Sequence, residues 1–299
     1  MPLTPQDVTL ASHELAGRVR RTPVIEVVLD DRRVLLKLDH MQHSGSFKFR
    51  GAMLGSLRSG SGEVVAASGG NHGLAIATAC AMLGRQAHVW VPSTAPADKV
   101  ERIRRAGAEV RLLDGDYQQC AETAKAFAAE RDLTYLPAYD HPDVITGQGT
   151  CAAEVLADRP DCDAVVVSVG GGGLLAGTAL AAAGRTAVVG VEPAGIPTVT
   201  RALEAGHPVD VTIDSITASA LGARSTGELN LAVLREHPPR MELVSDDEIL
   251  AARNQLWEEH RIAVEPAAGA ALAVVGRVEA TLPCVVLCGA NSGWQATSA

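Results

Sequence analysis

A lysine with apolar neighbours lies early in the sequence, where Lys48 falls between Phe47 and Phe49 at the predicted start of a helix. Apolar surroundings disfavour the charged form of an amine and so lower its pKa. A neutral lysine amine is the nucleophile that forms a Schiff base with a carbonyl compound. The same residues also fit a solvated helix lysine that follows a turn, so this segment by itself leaves both interpretations open.

Two glycine-containing turns each follow a predicted strand and open a predicted helix. The asparagine turn (residues 68–72) consists of Ser68, Gly69, Gly70, Asn71 and His72. The tetraglycine turn (residues 170–173) consists of Gly170, Gly171, Gly172 and Gly173. Exposed backbone N–H groups and the positive end of a helix favour an anion at such turns, either a carboxylate or a phosphate. The asparagine turn also fits a plain strand-to-helix turn with Asn71 as the N-cap.

The tetraglycine turn has a second interpretation, because the pattern Gly171-x-Gly173-x-x-Ala176 fits a dinucleotide-binding fingerprint. Glu192 ends the next predicted strand, about where such folds carry the acid that binds a ribose. The pattern comes late in the chain, however, and no βαβ unit at the start of the chain accompanies it. A nicotinamide-dependent oxidoreductase is therefore a remote alternative.

Two further side chains are candidates because they lie at the ends of predicted elements. Cys288 ends the last predicted strand, where its thiol is either a weak hydrogen-bond partner for a ligand ring or an ordinary buried side chain. Glu265 precedes Pro266, which is favoured as the first residue of a helix. Its carboxylate either belongs to the site or stabilises the start of that helix through the helix dipole.

These candidates require a scaffold that brings strand ends together. Runs rich in β-branched residues predict strands at 34–39, 63–67, 88–92, 109–113, 134–137, 164–169, 187–192 and 284–288. Helical patterns lie between them, and this alternation is typical of βαβ units and mostly parallel sheets. Residues 206–239 look irregular, which indicates a long surface excursion or a loop near a site.

Size and charge narrow the class of protein. The 299 residues are enough for roughly two domains. With 26 Lys and Arg against 35 Asp and Glu, the formal net charge is −9. An acidic chain argues against a nucleic-acid partner or an anionic membrane surface, since both need a dense basic face.

The sequence also indicates the compartment. The N-terminus has no basic start followed by an apolar core, so we expect no signal peptide. The uncharged stretch 164–184 is long enough to span a bilayer, but its glycines favour a strand, a turn and a helix instead. The six cysteines have neither CxxC nor zinc-type spacing, so we expect reduced thiols in a cytoplasmic protein.

Taken together and in this order, the segments resemble those of the fold type II pyridoxal-phosphate enzymes, in particular the serine/threonine dehydratase family. The resemblance covers essentially the whole chain. It implies an α/β fold with two open, mostly parallel twisted sheets flanked by helices, as in the tryptophan synthase beta-like enzymes. It also implies a smaller domain at residues 42–140 and a larger one formed by residues 1–41 and 141–299, with the cofactor in the cleft between them.

The resemblance assigns roles to the candidates residue by residue. Lys48, in a Ser-Phe-Lys-x-Arg-Gly-Ala segment with Phe47 as a possible support, matches the lysine that binds pyridoxal 5′-phosphate. The asparagine turn matches the segment that holds the cofactor's phenolic oxygen and the substrate carboxylate, and the tetraglycine turn matches the phosphate-binding loop. Cys288 matches the residue that faces the pyridine nitrogen, and Glu265 matches a family Glu-Pro segment.

The activity implied by the resemblance is β-elimination. L-Threonine or L-serine would lose water and then ammonia, leaving 2-oxobutanoate or pyruvate, with Lys48 as the general base at the α-carbon. A bulkier 3-hydroxy amino acid is an alternative substrate, and part of segment 206–239 would then line the substrate side. Members of the family are commonly dimers, which implies a homodimer here.

Two departures from the family pattern refine the expectation. Serine racemases of this family carry a second serine in the asparagine turn, whereas this chain has Gly69, which favours elimination over a racemase-like activity. Some members bind a divalent cation through Glu-Pro-x-x-x-x-Asp, whereas Thr198 follows Glu192 at the Asp position here. We therefore expect no metal at that segment.

Overall fold

The structure is a computed structural model that describes residues 2–60 and 62–292. The strands of these residues form two sheets. They are β1 (Val24–Leu29), β2 (Arg32–Lys37), β3 (Val64–Ala67), β4 (Ala87–Pro92), β5 (Glu109–Leu113), β6 (Thr134–Tyr135), β7 (Ala164–Ser168), β8 (Ala187–Pro193), β9 (Arg240–Val244) and β10 (Pro283–Val286). The larger sheet has the order β1-β2-β10-β7-β8-β9, and the smaller has the order β5-β4-β3-β6.

Both sheets are mostly parallel, which confirms the predicted α/β fold class. Strands β3, β7 and β10 are buried along their whole length, as expected for parallel sheets covered on both faces. The antiparallel pair within the described residues is β1 with β2. Strand β1 was not predicted, and a tight turn at Asp30 and Asp31, both with positive φ, joins it to β2.

Helices connect the strands and cover the sheets. They are α1 (Pro5–Leu15), α2 (Lys48–Arg58), α3 (Asn71–Met82), α4 (Ala97–Arg105), α5 (Tyr117–Glu130), α6 (Pro142–Asp158), α7 (Gly173–Ala182), α8 (Thr198–Ala205), α9 (Ala218–Leu221), α10 (Glu228–Glu236), α11 (Asp246–His260) and α12 (Pro266–Leu272). Among the described residues, no helix combines the length and the apolar character that a membrane crossing requires.

Several elements differ from the sequence-based expectation. Helix α1 and strand β9 were not predicted, although a capping box of Thr4 and Asp7 marks the start of α1. The segment 206–239 is less irregular than expected, because it contains α9 and α10. Helix α10 buries Leu231 and Leu234 and so has an apolar face in the structure. The many turn residues of the segment hid this helical pattern in the sequence.

A buried network of charges fixes α2, the helix that begins at Lys48. The Arg50 guanidinium donates to Asp39 at 2.7 Å and to Glu154 at 2.8 Å, and Arg50 and Asp39 are fully buried. Lys37 of β2 donates to the same Glu154 carboxylate at 2.5 Å. The network therefore ties α2 to the end of β2 and to α6.

Candidate active site

Lys48 is the first residue of α2, and its Nζ donates to the Ala138 carbonyl at 2.6 Å. The amine lies 5.1 Å from the centre of the Phe47 ring. Burial lowers the pKa of Lys48 to about 8, against a smaller opposing effect of Cys288. Phe49, by contrast, points into the hydrophobic core. The expected apolar setting of the lysine thus comes from Phe47 and from burial.

The asparagine turn lies between β3 and α3. Gly70 precedes the first residue of α3 as its N-cap, and its backbone N–H contacts the Ser68 hydroxyl at 3.2 Å. Asn71 is therefore not the N-cap, and its side chain is directed to other partners. His72 is buried with Nε2 at 3.0 Å from the Leu136 carbonyl, and burial followed by the charge of Lys48 lowers its pKa to about 3. The imidazole is neutral at physiological pH.

Asn71 belongs to a hydrogen-bonded network with Glu265 and Asn291. Its Nδ2 donates to Glu265 Oε1 at 2.8 Å, while the Asn291 backbone N–H donates to Glu265 Oε2 at 3.1 Å. The Asn291 side chain donates to Asn71 Oδ1 at 2.9 Å and to the Ser44 carbonyl at 2.8 Å. Arg102 of α4 donates to both oxygens of Asn291. Glu265 is thus part of the site and also precedes α12.

The tetraglycine turn follows β7 and begins α7. Gly172 has φ of 96°, which only glycine adopts without strain. A Cβ at Gly171 would overlap the Tyr139 ring, and a Cβ at Gly170 would lie 3.0 Å from the Leu221 backbone. Backbone conformation therefore favours glycine at 172, and close packing favours it at 170 and 171, as in a backbone cradle for an anion.

A buried amide supports that interpretation. Gln148 of α6 is fully buried, and its Oε1 lies 2.8 Å from where a Gly173 Cβ would be. Neither atom of its amide has a hydrogen-bond partner within the described part of the chain. An unpartnered buried amide beside a helix N-terminus fits a site for a phosphate group.

Cys288 lies two residues after the end of β10, and its carbonyl accepts from the Phe47 backbone N–H at 2.9 Å. Burial raises the pKa of its thiol, and the nearby Glu265 raises it further. The thiol is therefore neutral. Strand β10 pairs with β7, so Cys288 and the tetraglycine turn lie at the carboxyl ends of neighbouring strands, where open α/β sheets bind ligands.

A cleft with a volume of about 110 Å³ opens beside the asparagine turn. Gly69, Gly70 and Asn71 line one part, and residues of α4 and four of the residues 216–220 line others. Glu265 and Asn291 also belong to the lining. Lys48, Cys288 and the tetraglycine turn are not part of this lining.

Glu192 is buried, and its carboxylate is engaged by a neighbouring helix. Its carboxylate caps α8, accepting from the backbone N–H groups of Val199 at 2.6 Å and Thr200 at 2.9 Å. Burial raises the pKa of Glu192 to about 7. Among the described residues, no group of three or more acidic, Cys or His side chains could hold a metal ion. The expectation of no metal stays a prediction.

Sequence reasoning missed Asn291, Arg102 and Gln148 as parts of the site. Asn291 follows the last strand, and its place in a glycine-containing turn was a usable signal. Gln148 lies in the middle of α6 and Arg102 on a strongly charged helix. Neither has a local pattern that distinguishes it from structural or solvated residues.

Comparison with known proteins agrees with this geometry. Residues 15–289 match the family described as "Pyridoxal-phosphate dependent enzyme". The L-threo-3-hydroxyaspartate ammonia-lyase of Pseudomonas sp is 34% identical over 271 residues, 87% of this chain and 85% of that protein. The human L-serine dehydratase/L-threonine deaminase is 35% identical over 285 residues, 87% of this chain and 86% of that protein.

A solved structure shows the same fold. The crystal structure of the T.th. threonine deaminase has a TM-score of 0.91 and 34% identity to this chain. The match covers 98% of this chain and 100% of that one. With the family match spanning most of the sequence, the chain belongs to the family of pyridoxal-phosphate dependent enzymes.

Proposed function

We propose that the protein is a pyridoxal-phosphate-dependent ammonia-lyase that removes water and ammonia from L-threonine or L-serine, leaving 2-oxobutanoate or pyruvate. The observation that carries this proposal is the buried Lys48 amine, with a pKa of about 8, near the neutral Cys288 thiol and the neutral His72 ring. The relatives named for dehydratase and ammonia-lyase activities support the reaction class.

The residues present fit the cofactor. When bound, pyridoxal 5′-phosphate supplies the electron sink for the substrate's α-carbon. The tetraglycine turn, the start of α7 and the unpartnered Gln148 amide would hold its phosphate. Lys48 would hold its aldehyde carbon, Asn71 its phenolic oxygen, and Cys288 its ring nitrogen.

Each side chain then has a task that follows from its environment. The Lys48 amine, lowered in pKa by burial, accepts the proton from the α-carbon. Backbone N–H groups at the start of α3, including those of Asn71 and His72, bind the substrate carboxylate. Neutral His72 fixes the turn through Leu136 and adds no charge beside Lys48.

Gly69 favours elimination over racemisation. A racemase needs a proton donor on the face of the α-carbon opposite the lysine, and Gly69 has no side chain to supply one. A Cβ at this position would lie 2.9 Å from Val91 Cγ1 and 3.4 Å from Ala95 Cβ. The neighbouring strand therefore packs closely against the glycine and leaves little room for a larger residue.

The organisation of the protein is part of the proposal. We assign residues 42–140 to a smaller domain and residues 1–41 and 141–299 to a larger one. We also propose a homodimer in the cytoplasm, where the six free cysteine thiols stay reduced. Analytical ultracentrifugation tests the dimer, and a sedimentation coefficient of a monomer at micromolar concentration would contradict it.

The test of the reaction is a Lys48→Ala variant. The cofactor-loaded wild type is expected to release 2-oxobutanoate from L-threonine or pyruvate from L-serine, measured by reduction of the oxo acid. Lys48→Ala should lower kcat by about 10³-fold or more, since it removes both the covalent anchor and the base. Lys125→Ala, at an exposed lysine, is the matched control. A Lys48→Ala protein with the wild-type rate would refute the assignment.

A further inference from the structure

Four consecutive glycines give the tetraglycine turn a backbone with little intrinsic shape. Glycine adopts positive and negative φ with similar ease, so the peptide between Gly171 and Gly172 can turn either its carbonyl oxygen or its N–H group to a given side. N–H groups stabilise an anion, whereas the negative end of a carbonyl dipole repels one. If the turn is to hold a phosphate, other residues of the chain must therefore select the orientation of this peptide.

Two buried side chains select the orientation of the Gly171 carbonyl. The Thr226 hydroxyl donates to this carbonyl oxygen at 3.0 Å, and the Asn230 side-chain amide donates to it at 2.9 Å. Thr226 is 5% exposed and Asn230 is fully buried. A carbonyl oxygen has two lone pairs, so these two donors satisfy it completely. Both donors belong to the segment 206–239, which thus contacts the turn directly.

The same peptide presents its N–H group in the opposite direction. The peptide bonds of the described residues are all trans, so the Gly172 N–H points away from the side on which the two donors hold the Gly171 carbonyl. In the part of the chain that the structure describes, the backbone N–H groups of the four glycines donate no hydrogen bond. Half-buried or buried N–H groups require an acceptor, and a phosphate group offers several oxygens.

A further pair of contacts holds the two donors against the turn. The Asp140 carboxylate accepts from the backbone N–H of Asn230 at 3.0 Å, in the first turn of α10. The Tyr139 hydroxyl donates to the Ser225 carbonyl at 3.0 Å, at the start of the loop that leads into α10. The Tyr139 ring also lies against the tetraglycine turn. The donors are therefore fixed from their own backbone as well as by burial.

We propose that Thr226 and Asn230 are positioning residues for the phosphate group of the cofactor, because they fix the Gly171 carbonyl and so aim the Gly172 N–H at the phosphate. This inference rests on the proposed role of the tetraglycine turn in holding that phosphate. The two side chains act through the backbone of the turn and have no task in the chemical step. Part of the segment 206–239 thereby serves cofactor binding.

The first test compares two ligands that differ only in the phosphate group. The apoprotein is titrated with pyridoxal 5′-phosphate and with pyridoxal, and absorbance gives a dissociation constant for each. Thr226→Val keeps the size of the side chain and removes the donor, so pyridoxal 5′-phosphate should bind about fivefold more weakly and pyridoxal equally well. Asn230→Leu should weaken pyridoxal 5′-phosphate binding by about tenfold, again without an effect on pyridoxal.

Two control variants separate the hydroxyl group from a general disturbance of the fold. Thr226→Ser keeps the hydroxyl and should restore the wild-type ratio of the two dissociation constants. Thr123→Val makes the same change at an exposed threonine of α5 and should leave both constants unchanged. Equal weakening of both ligands by Thr226→Val would show that Thr226 supports the fold in general, and the positioning role would be wrong.

The second test uses inorganic phosphate alone, which requires neither Lys48 nor turnover. Calorimetric titration of the apoprotein should give a dissociation constant that rises by about fivefold in Thr226→Val and returns to the wild-type value in Thr226→Ser. The isosteric Thr226→Val carries this test even if Asn230→Leu, which removes a fully buried polar side chain, yields little folded protein. Phosphate binding that is equal in the wild type and Thr226→Val would overturn the inference.

The outcomes separate this inference from the proposed function. If the wild type prefers pyridoxal 5′-phosphate to pyridoxal and Thr226→Val and Asn230→Leu keep that preference, the positioning role is wrong and the phosphate site stands. If the wild type binds both ligands equally, the tetraglycine turn is not the phosphate site and the inference fails with it. Absence of oxo-acid release by protein that binds its cofactor normally would overturn the lyase and leave the positioning role intact.

Discussion

The low pKa of Lys48 originates in burial and not in a neighbouring charge. Its pKa of about 8 is lowered by desolvation, whereas Cys288 acts weakly in the opposite direction. The neutral thiol and the neutral His72 imidazole leave the amine without an ionic partner among the site residues. Such a lysine is a poor ion-pair residue and a good nucleophile.

The lowered pKa predicts how fast the apoprotein captures its cofactor. Only the neutral amine attacks an aldehyde, so the capture rate should rise with pH up to about 8 and then level off. An ordinary lysine would continue to gain reactivity up to about pH 10.4. Stopped-flow absorbance with pyridoxal 5′-phosphate measures the rate, with Nα-acetyl-lysine as the reference amine. A rate that still rises above pH 9 would contradict a buried, pKa-shifted Lys48.

At the scale of elements, the position of the site depends on two helices that other elements hold through buried contacts. Helix α2 carries Lys48 and is anchored by Arg50, while α7 carries the tetraglycine turn and packs closely on α6. The α6–α7 contact brings Gly149 and Gly177 together, since a Cβ at Gly149 would lie 2.6 Å from the Gly177 carbonyl oxygen. Both contacts hold helices that carry candidate site residues.

Loss of the Arg50 ion pairs that hold α2 should strongly lower the free energy of unfolding. Arg50→Met leaves buried Asp39 without its cation, and we expect the free energy of unfolding to fall by about 3–5 kcal/mol. Arg33→Met, which breaks an exposed pair with Glu26, should lower the free energy of unfolding far less, because solvent screens that pair. Urea denaturation of both variants in the same cofactor state measures the difference. Equal losses would show that the buried network is not the anchor.

A methyl group added in the α6–α7 contact should also lower the free energy of unfolding. Gly177→Ala would place a Cβ 2.4 Å from the Ile145 carbonyl oxygen, so the helices must separate. Overpacking of this kind lowers the free energy of unfolding by about 1–3 kcal/mol. Gly276→Ala, at a position with open space around it, is the control. Thermal and urea unfolding measure both, and an unchanged Gly177→Ala protein would exclude tight packing here.

At the scale of the whole molecule, the site depends on contacts between segments that are far apart in sequence. Asn291, after the last strand of the larger sheet, contacts Arg102 of α4, Asn71 of α3 and Ser44 before α2. These contacts connect groups beside the smaller sheet with the end of the larger one. The cleft exists where they meet.

Removal of that connection should lower both the activity and the stability of the protein. Asn291→Leu keeps a similar size and loses every side-chain hydrogen bond, so we expect kcat/KM to fall by about tenfold or more. The free energy of unfolding should fall by about 1–3 kcal/mol, since polar partners stay buried without a bond. Steady-state kinetics and urea denaturation measure the two effects, with the surface variant Gln118→Ala as control. Unaltered kcat/KM would show that Asn291 is not a positioning residue.

Local patterns in the sequence predicted the parallel α/β fold, and motif order predicted the enzyme family. Glycines and β-branched runs mark strand ends, and parallel strands bring those ends to one edge of a sheet. The roles of Lys48, Asn71 and Cys288 stay predictions, although the structure places Lys48 near Cys288 and His72. Strand β1 was not predicted, because its Asp30-Asp31 turn lacks the glycine that usually marks a hairpin turn.

The sequence by itself determined which segments carry chemistry, because turn residues, helix starts and strand ends are encoded locally. Only the tertiary structure decided their partners: that Glu265 accepts from Asn71, that Gln148 is buried with no partner in residues 2–60 and 62–292, and that Lys99 and Arg102 face the cleft. These contacts join residues far apart along the chain. They depend on how helices pack on the sheets, and helix packing follows from side-chain shape and burial that no local sequence pattern records.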